Sequence, residues 1–145
     1  MHVAVETVSP HPSATVWREI ADFGDIHRWH PAIAASRLHS GTDAEPGCVR
    51  ELTTADGATL TERLVSLDAA GMEVVYEFVE HPFPVTGYRA RMKVLESGDR
   101  TCLVQWSAEF EPTEGDGRAQ RDFFAEKIFG PGLLGLNAAI AARQQ

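Results

Sequence analysis

CVRELTTADGATLTERL, residues 48–64, reads as two strands around a turn, and each strand carries one charge where an apolar residue would fit: Arg50 and Glu62. Two turns can join these strands. A two-residue Asp56-Gly57 turn pairs Ala55 with Ala58. It sets Glu51 opposite Glu62 and Arg50 opposite Arg63, and like charges directly opposed are destabilising. It also sends Leu52 and Leu60 to opposite faces. A three-residue turn, Ala55-Asp56-Gly57 with Gly57 left-handed, pairs Thr54 with Ala58 instead. Leu52 then faces Leu60, Arg50 faces Glu62 and Cys48 faces Leu64, while Glu51/Thr61 and Val49/Arg63 fall on the other side. Each cross-strand pair contributes only about 0.2–1 kcal/mol, but every pair favours this second register.

The leucine-bearing face is the one to bury, so Arg50 and Glu62 are expected side by side on the apolar, concave side of the sheet. Neither can be left dry and alone, because an unpaired buried charge costs several kcal/mol. They must pair, meet water or meet a ligand. A structural ion pair is one solution, although an apolar pair of similar size often stabilises a core as well. A polar pair inside an apolar cup is also what a ligand pocket needs.

Outward from the hairpin, period-two patterning runs from Ile33 to Pro112. MEVVYEFVE puts Val74, Tyr76 and Phe78 on one face. YRARMKV puts Tyr88, Ala90, Met92 and Val94 on one face and Arg89, Arg91 and Lys93 on the other. LVQWSAEFE alternates Val104, Trp106, Ala108 and Phe110 with Gln105, Ser107, Glu109 and Glu111. One-sided apolar strands joined by short turns predict an antiparallel sheet with one wet face. HVAVETV is a further strand at the start. Pro12 and Ser13 suit the opening of a helix that runs to about Asp22, with Val16, Trp17 and Ile20 on one side. DIHRWHP reads as a second short helix, from Asp25 to Pro31. Near the end, Phe129, Leu133, Leu136 and Ile140 form a helical stripe, and Pro131 predicts a kink near residue 130. The longest turn-rich gap, SGTDAEPG at 40–47, is too short for a domain linker. The expectation is a single domain over 1–145, of α+β class: a seven-stranded curved antiparallel sheet wrapped round a long C-terminal helix, with two short helices after the first strand.

Bulk composition narrows the function. Of 145 residues, 43% are hydrophobic and 23% charged, as in ordinary globular proteins, and the net charge is −8. The few Lys and Arg form no basic stripe, which argues against nucleic acid and against an anionic membrane surface as partners. Cys48 and Cys102 stand too far apart, without a C-x-x-C, to suggest a disulfide framework or a zinc site. His27 and His30, three apart in HRWH, lack a third ligand nearby, so no metal is expected. MHVAVETVSPHPS does not read as a signal peptide and no apolar run reaches membrane-spanning length; a cytoplasmic location is expected.

In element order and in the words VWREIADFGDIHRWHP (16–31), PGCVREL (46–52), TERLVSLD (61–68), GYRARMKV (87–94) and VQWSAEFEP (104–112), the chain resembles the START / Bet v 1-like (SRPBCC) superfamily. That superfamily has the helix-grip fold and includes polyketide cyclase/dehydrase-type proteins. The resemblance implies a cavity between sheet and helix that binds small hydrophobic molecules. Within the superfamily the chain looks like the branch that holds lachrymatory-factor synthase and the abscisic-acid receptors. It implies a proton-transfer site at Arg50 and Glu62, with Tyr76 and Tyr88 as the accompanying tyrosines. The receptor gate sequence is absent, with ADGAT in its place, and so is the Bet v 1 glycine-rich loop. FGPGLLG in the last helix departs from the synthase, so that enzyme's substrate does not carry over.

The site expected on these grounds has Arg50, Glu62, Tyr76 and Tyr88 as its polar, catalytic wall. Leu52, Leu60 and Phe78 would supply apolar wall from the strands, and Phe129 and Leu133 from the helix. His30 is placed at the cavity rim or capping the turn at Pro31. Trp29 is read as wall rather than core, and Trp106 as either. Phe83, in the proline-flanked HPFPVTG, is an aromatic candidate at the pocket mouth, with a plain proline turn as the alternative. Arg50 would hold an oxyanion and Glu62 would move a proton in an isomerase-, cyclase- or dehydratase-like step that uses no cofactor. A carrier with Arg50 as a carboxylate anchor is the rival reading.

Overall fold

The computed structural model describes residues 1–39 and 44–144. Positions 40–43 of the turn-rich gap therefore lie outside the described residues. The chain runs β1 (His2–Ser9), α1 (Ser13–Ala21), a 3-10 segment (Phe23–Arg28), β2 (Ile33–Leu38), β3 (Val49–Thr54), β4 (Thr59–Asp68), β5 (Glu73–Glu80), β6 (Val85–Glu96), β7 (Cys102–Pro112) and a C-terminal helix over 118–143. All seven strands form one antiparallel sheet in the order β1-β7-β6-β5-β4-β3-β2. β1 pairs with the last strand, so α1 and the 3-10 segment carry the chain across to β2 at the opposite edge.

Alternation decides which side of the sheet is buried. Tyr88, Ala90, Met92 and Val94 of β6 and Val104, Trp106, Ala108 and Phe110 of β7 all face the core, with Phe129, Leu133, Leu136 and Ile140 of the helix packed there too. The opposite face is laced by cross-strand ion pairs. Glu77 reaches Arg63 at 2.9 Å and Arg89 at 3.2 Å, and Glu73 reaches Arg91 at 3.5 Å and Lys93 at 3.8 Å. Exposed pairs of this kind add little stability. They keep one face wet.

The β3–β4 hairpin has the register that the charges demand. Leu52 pairs with Leu60, Arg50 with Glu62, Glu51 with Thr61 and Val49 with Arg63. The Thr54 amide donates to the Ala58 carbonyl across the turn at 2.8 Å, and Gly57 takes a φ of 93°, open only to glycine at low cost.

Three local expectations are corrected. Ser13 does not cap α1; its hydroxyl donates to Glu96 at 3.2 Å. The second short helix is 3-10 in form and ends at Arg28 rather than Pro31, because Pro31 disfavours helical backbone at the residue before it. In place of a simple kink near 130, the C-terminal helix passes through a π-helical stretch, Phe124–Phe129, between the α-helical segments Arg118–Phe123 and Gly130–Arg143. The Gly130 amide bonds back to the Ala125 carbonyl, five residues earlier. Pro131 has no N–H to continue the tighter ladder, and the backbone widens by a residue ahead of it.

Candidate functional site

Arg50 and Glu62 lie side by side on the inner face, 4% and 5% exposed. Nε of Arg50 donates to Glu62 Oε1 at 2.8 Å, Nη2 lies 2.8 Å from the same oxygen, and Nη1 donates to the Phe23 carbonyl at 3.0 Å. The guanidinium carbon sits 3.9 Å from the Phe23 ring centre and 4.8 Å from that of Tyr76. Cation–π contact of this kind suits a planar arginine better than a lysine. The hydrogen bond and the Nη2 contact both fall on Oε1; Oε2 accepts no hydrogen bond from the described residues. Burial holds the Glu62 carboxyl above its ordinary range, against the downward pull of Arg50. A carboxyl so placed accepts a proton more readily than one on the surface.

Tyr76 stands beside the pair. Its hydroxyl accepts the Trp106 indole N–H at 3.0 Å, which leaves its own proton free to be donated. Burial raises the pKa of both Tyr76 and Tyr88, so both phenols stay protonated at neutral pH. The Tyr88 ring stacks on Phe78 with centres 3.8 Å apart. His30 is committed on both sides. Its Nε2 lies 2.8 Å from the Ile128 carbonyl and its Nδ1 accepts the Ala32 amide at 3.1 Å, so Nε2 carries the proton. Burial first, and Arg50 second, lower its pKa to about 4, and the ring is neutral. It positions the turn at Pro31 against the C-terminal helix and has no nitrogen left for a metal or a substrate.

These groups converge on an internal cavity of about 40 Å³. Arg50, Glu62, Tyr76, Tyr88, His30, Leu52, Leu60, Phe78, Phe83 and Trp106 all line it. Trp29, Phe129 and Leu133 do not. Trp29 packs against the His30 and Trp106 rings, and Phe129 stacks on Trp106 with centres 4.8 Å apart. Leu133 is buried in the core beneath the helix. The reason is at Gly132 and Gly135. A Cβ at Gly132 would stand 2.6 Å from the Trp106 ring and 2.7 Å from that of His30. One at Gly135 would run into the Trp29 carbonyl and Pro31. These glycines draw the 29–31 turn and Trp106 hard against the helix and fill that space with protein. The cavity is much smaller than the several hundred Å³ of a ligand pocket; a water's share of the liquid is about 30 Å³.

The sequence reading missed Phe23, whose carbonyl and ring hold Arg50, and Ile26, Ile33, Thr54 and Ile128 on the cavity wall. The only local hint was Gly24, which lies inside the 3-10 segment and lets Leu38 approach to 2.9 Å of where a Cβ would stand.

Residues 1–143 match the family described as "Polyketide cyclase / dehydrase and lipid transport". The chain belongs to that family. Membership points to ligand binding or a cyclase-like role for the domain. Solved structures agree on the helix-grip architecture. The protein XoxI from Bacillus cereus superposes with a TM-score of 0.89 at 30% identity, covering 99% of this chain and 98% of its own. An uncharacterized protein from Bacillus thuringiensis gives 0.86 at 30% identity, with 97% and 99% covered. A Thermobifida fusca protein solved by NMR gives 0.85 at 31% identity, with 97% and 93% covered. No curated protein matches. No helix among the described residues is long and apolar enough to cross a membrane, and no cluster of three or more His, Cys, Asp or Glu there could hold a metal ion.

Proposed function

We propose that this domain binds a small, mostly apolar, oxygen-bearing molecule between sheet and helix, and that Arg50 and Glu62 carry out a cofactor-free proton transfer on it. The observation that carries this reading is the asymmetry of the pair: Arg50 holds Oε1 of Glu62, Oε2 takes no hydrogen bond from the described residues, and Glu62 lines the same cavity as Tyr76, whose hydroxyl accepts from Trp106 and keeps its own proton. A substrate carbonyl placed there would receive the Tyr76 hydrogen bond and the field of Arg50. Glu62 would take a proton from the carbon next to that carbonyl. The electron pair of the broken C–H bond would move onto oxygen as an enolate, stabilised by those two groups. Return of the proton from Glu62 to a neighbouring atom completes an isomerase- or cyclase-like step; its delivery to a leaving hydroxyl completes a dehydration. The raised carboxyl pKa suits both halves of such a transfer.

One observation speaks against chemistry at the pair and favours binding by the apolar wall alone: all three nitrogens of Arg50 are already engaged, by Glu62 and by the Phe23 carbonyl. Native mass spectrometry of the purified protein identifies any co-purifying small molecule. With that molecule in hand, Glu62→Gln is expected to abolish turnover and to spare affinity. A parent protein that binds the molecule and never converts it would establish the carrier.

A further inference from the structure

A cavity of about 40 Å³ admits one functional group, not a molecule. The rest of any ligand must lie elsewhere. Beside the cavity is an outer groove of about 490 Å³, between the β5–β6 loop, the loop after β7 and the first turn of the C-terminal helix. Phe83 lines both spaces. It is held in an aromatic stack, with Phe78 at 5.4 Å, Phe124 at 5.7 Å and the exposed Phe123 at 5.5 Å between ring centres. The groove floor is apolar, with Pro84, Ala119 and Phe123.

One polar side chain is built into that floor. Gln120 is only 6% exposed. Its Nε2 donates to the Pro84 carbonyl at 3.1 Å and to the Glu114 carbonyl at 2.8 Å. Two carbonyl partners fix the amide orientation and use both of its protons. Oε1 takes no hydrogen bond from the described residues, which leaves a free acceptor on a side chain that lines the groove. Glu114 and Asp116 flank it, and no Lys or Arg lines the groove among the described residues. Arg118 lies 3.4 Å from Asp116, as an exposed pair. Arg118 offsets Asp116, so among the described residues Glu114 is what makes the mouth negative, within a chain of net charge −8.

We propose that groove and cavity are two chambers of one ligand site, separated by the Phe83 ring. The outer chamber takes the uncharged, aromatic or alicyclic body of the molecule and a hydroxyl or N–H that donates to Gln120 Oε1. The inner chamber takes its oxygen-bearing end. This deepens and rests on the ligand-binding reading above. It adds a selection rule: free carboxylates and phosphates are turned away at Glu114, and hydrogen-bond donors are preferred at Gln120.

The test titrates the full chain, by amide NMR spectra, with three probes of one shape: 2-naphthol, 2-methoxynaphthalene and 2-naphthoate. Naphthol is expected to shift the amides of Phe83, Ala119, Gln120 and Phe123. The methoxy compound, lacking a donor, should bind about fivefold more weakly, and naphthoate about tenfold more weakly. Gln120→Met should erase the preference for naphthol over its methyl ether. Phe83→Ala should let the shifts spread to Leu52, Leu60 and Tyr88; Phe83→Leu serves if the alanine variant does not fold. Equal binding of naphthol and naphthoate overturns the selection rule, and shifts that stay in the groove when Phe83 is cut back overturn the partition. Naphthol found at the inner residues alone overturns the two-chamber arrangement and leaves the Arg50–Glu62 reading standing. Failure of all three probes at both chambers overturns both.

Discussion

Replacing Arg50 by Met and Glu62 by Leu, singly and together, tells whether this pair holds the fold or is held by it. Removing one partner of a buried ion pair costs about 3–5 kcal/mol, since it strands the other charge. The geometry divides the two single variants. Glu62→Leu strands a guanidinium that cannot lose its proton, with only the Phe23 carbonyl and the rings of Phe23 and Tyr76 left to it. Cation–π contact recovers about 0.5–2 kcal/mol, so a net loss of about 2–4 kcal/mol is expected. Arg50→Met strands a carboxyl that can protonate, and the loss at neutral pH is expected at about 1–3 kcal/mol. The double variant places two apolar side chains on the wall already formed by Leu52 and Leu60, and should come within about 1 kcal/mol of the parent or exceed it. Urea unfolding followed by tryptophan fluorescence reads all four proteins, with Trp106 reporting through its bond to Tyr76. A double variant that loses the sum of the single losses would refute the reasoning. The charges would then be part of what makes this core fold, and their placement would say nothing about a ligand.

Three further outcomes follow from the same geometry. In Arg50→Met the Glu62 carboxyl loses the only group that lowers its already raised pKa. The folded state then favours the protonated form, so the deficit of the variant should be small below the ordinary carboxylate range and grow as pH rises through the folded value; urea midpoints at about pH 5 and 8 check the sign. His30 titrates at about 4 when folded against 6.5 unfolded. The unfolded chain therefore takes up a proton first as pH falls, and about 3 kcal/mol of stability should be lost across that window. His30→Gln should flatten this part of the stability profile; an unchanged slope would contradict the neutral, doubly bonded ring. Gly132→Ala gains about 1 kcal/mol of helix propensity but drives a methyl to 2.6 Å from Trp106; a net loss of about 1–3 kcal/mol in the melting curve is expected.

Much of this arrangement was legible because it is local. The hairpin register rests on residues no more than sixteen apart, Cys48 to Leu64, and opposed charges and leucines reject the wrong turn. Strand alternation in β6 and β7 reads directly as an inside and an outside. What escaped depends on distance along the chain. The Arg50 bond to Phe23 spans 27 residues and that of His30 to Ile128 spans 98, and no periodicity encodes either. β4 and β5 slip register between Thr61 and Glu62 and again between Leu64 and Ser66, which pattern alone does not reveal. Cavity size is the extreme case. It is set by Gly132 and Gly135 letting the helix close on the 29–31 turn, a sum of small approaches from three parts of the chain. Gln120 looked like any polar residue at the start of a helix. Its partners are two loop carbonyls that only the fold brings together.

The tip of a hairpin is usually where a protein accepts gained or lost residues, because few contacts depend on it. Here the turn at Ala55-Asp56-Gly57 acts as a ruler. Were the tip to close on Asp56-Gly57 alone, Ala55 would be drawn into the strand opposite Ala58, and the slip would set Glu62 against Glu51 and Arg50 against Arg63. The interior would lose the match between Arg50 and Glu62 through a change in a solvent-facing loop that touches neither. In a library of this protein Gly57 is the tip residue to keep, because its φ of 93° is what closes the three-residue turn and holds Ala55 out of the strand.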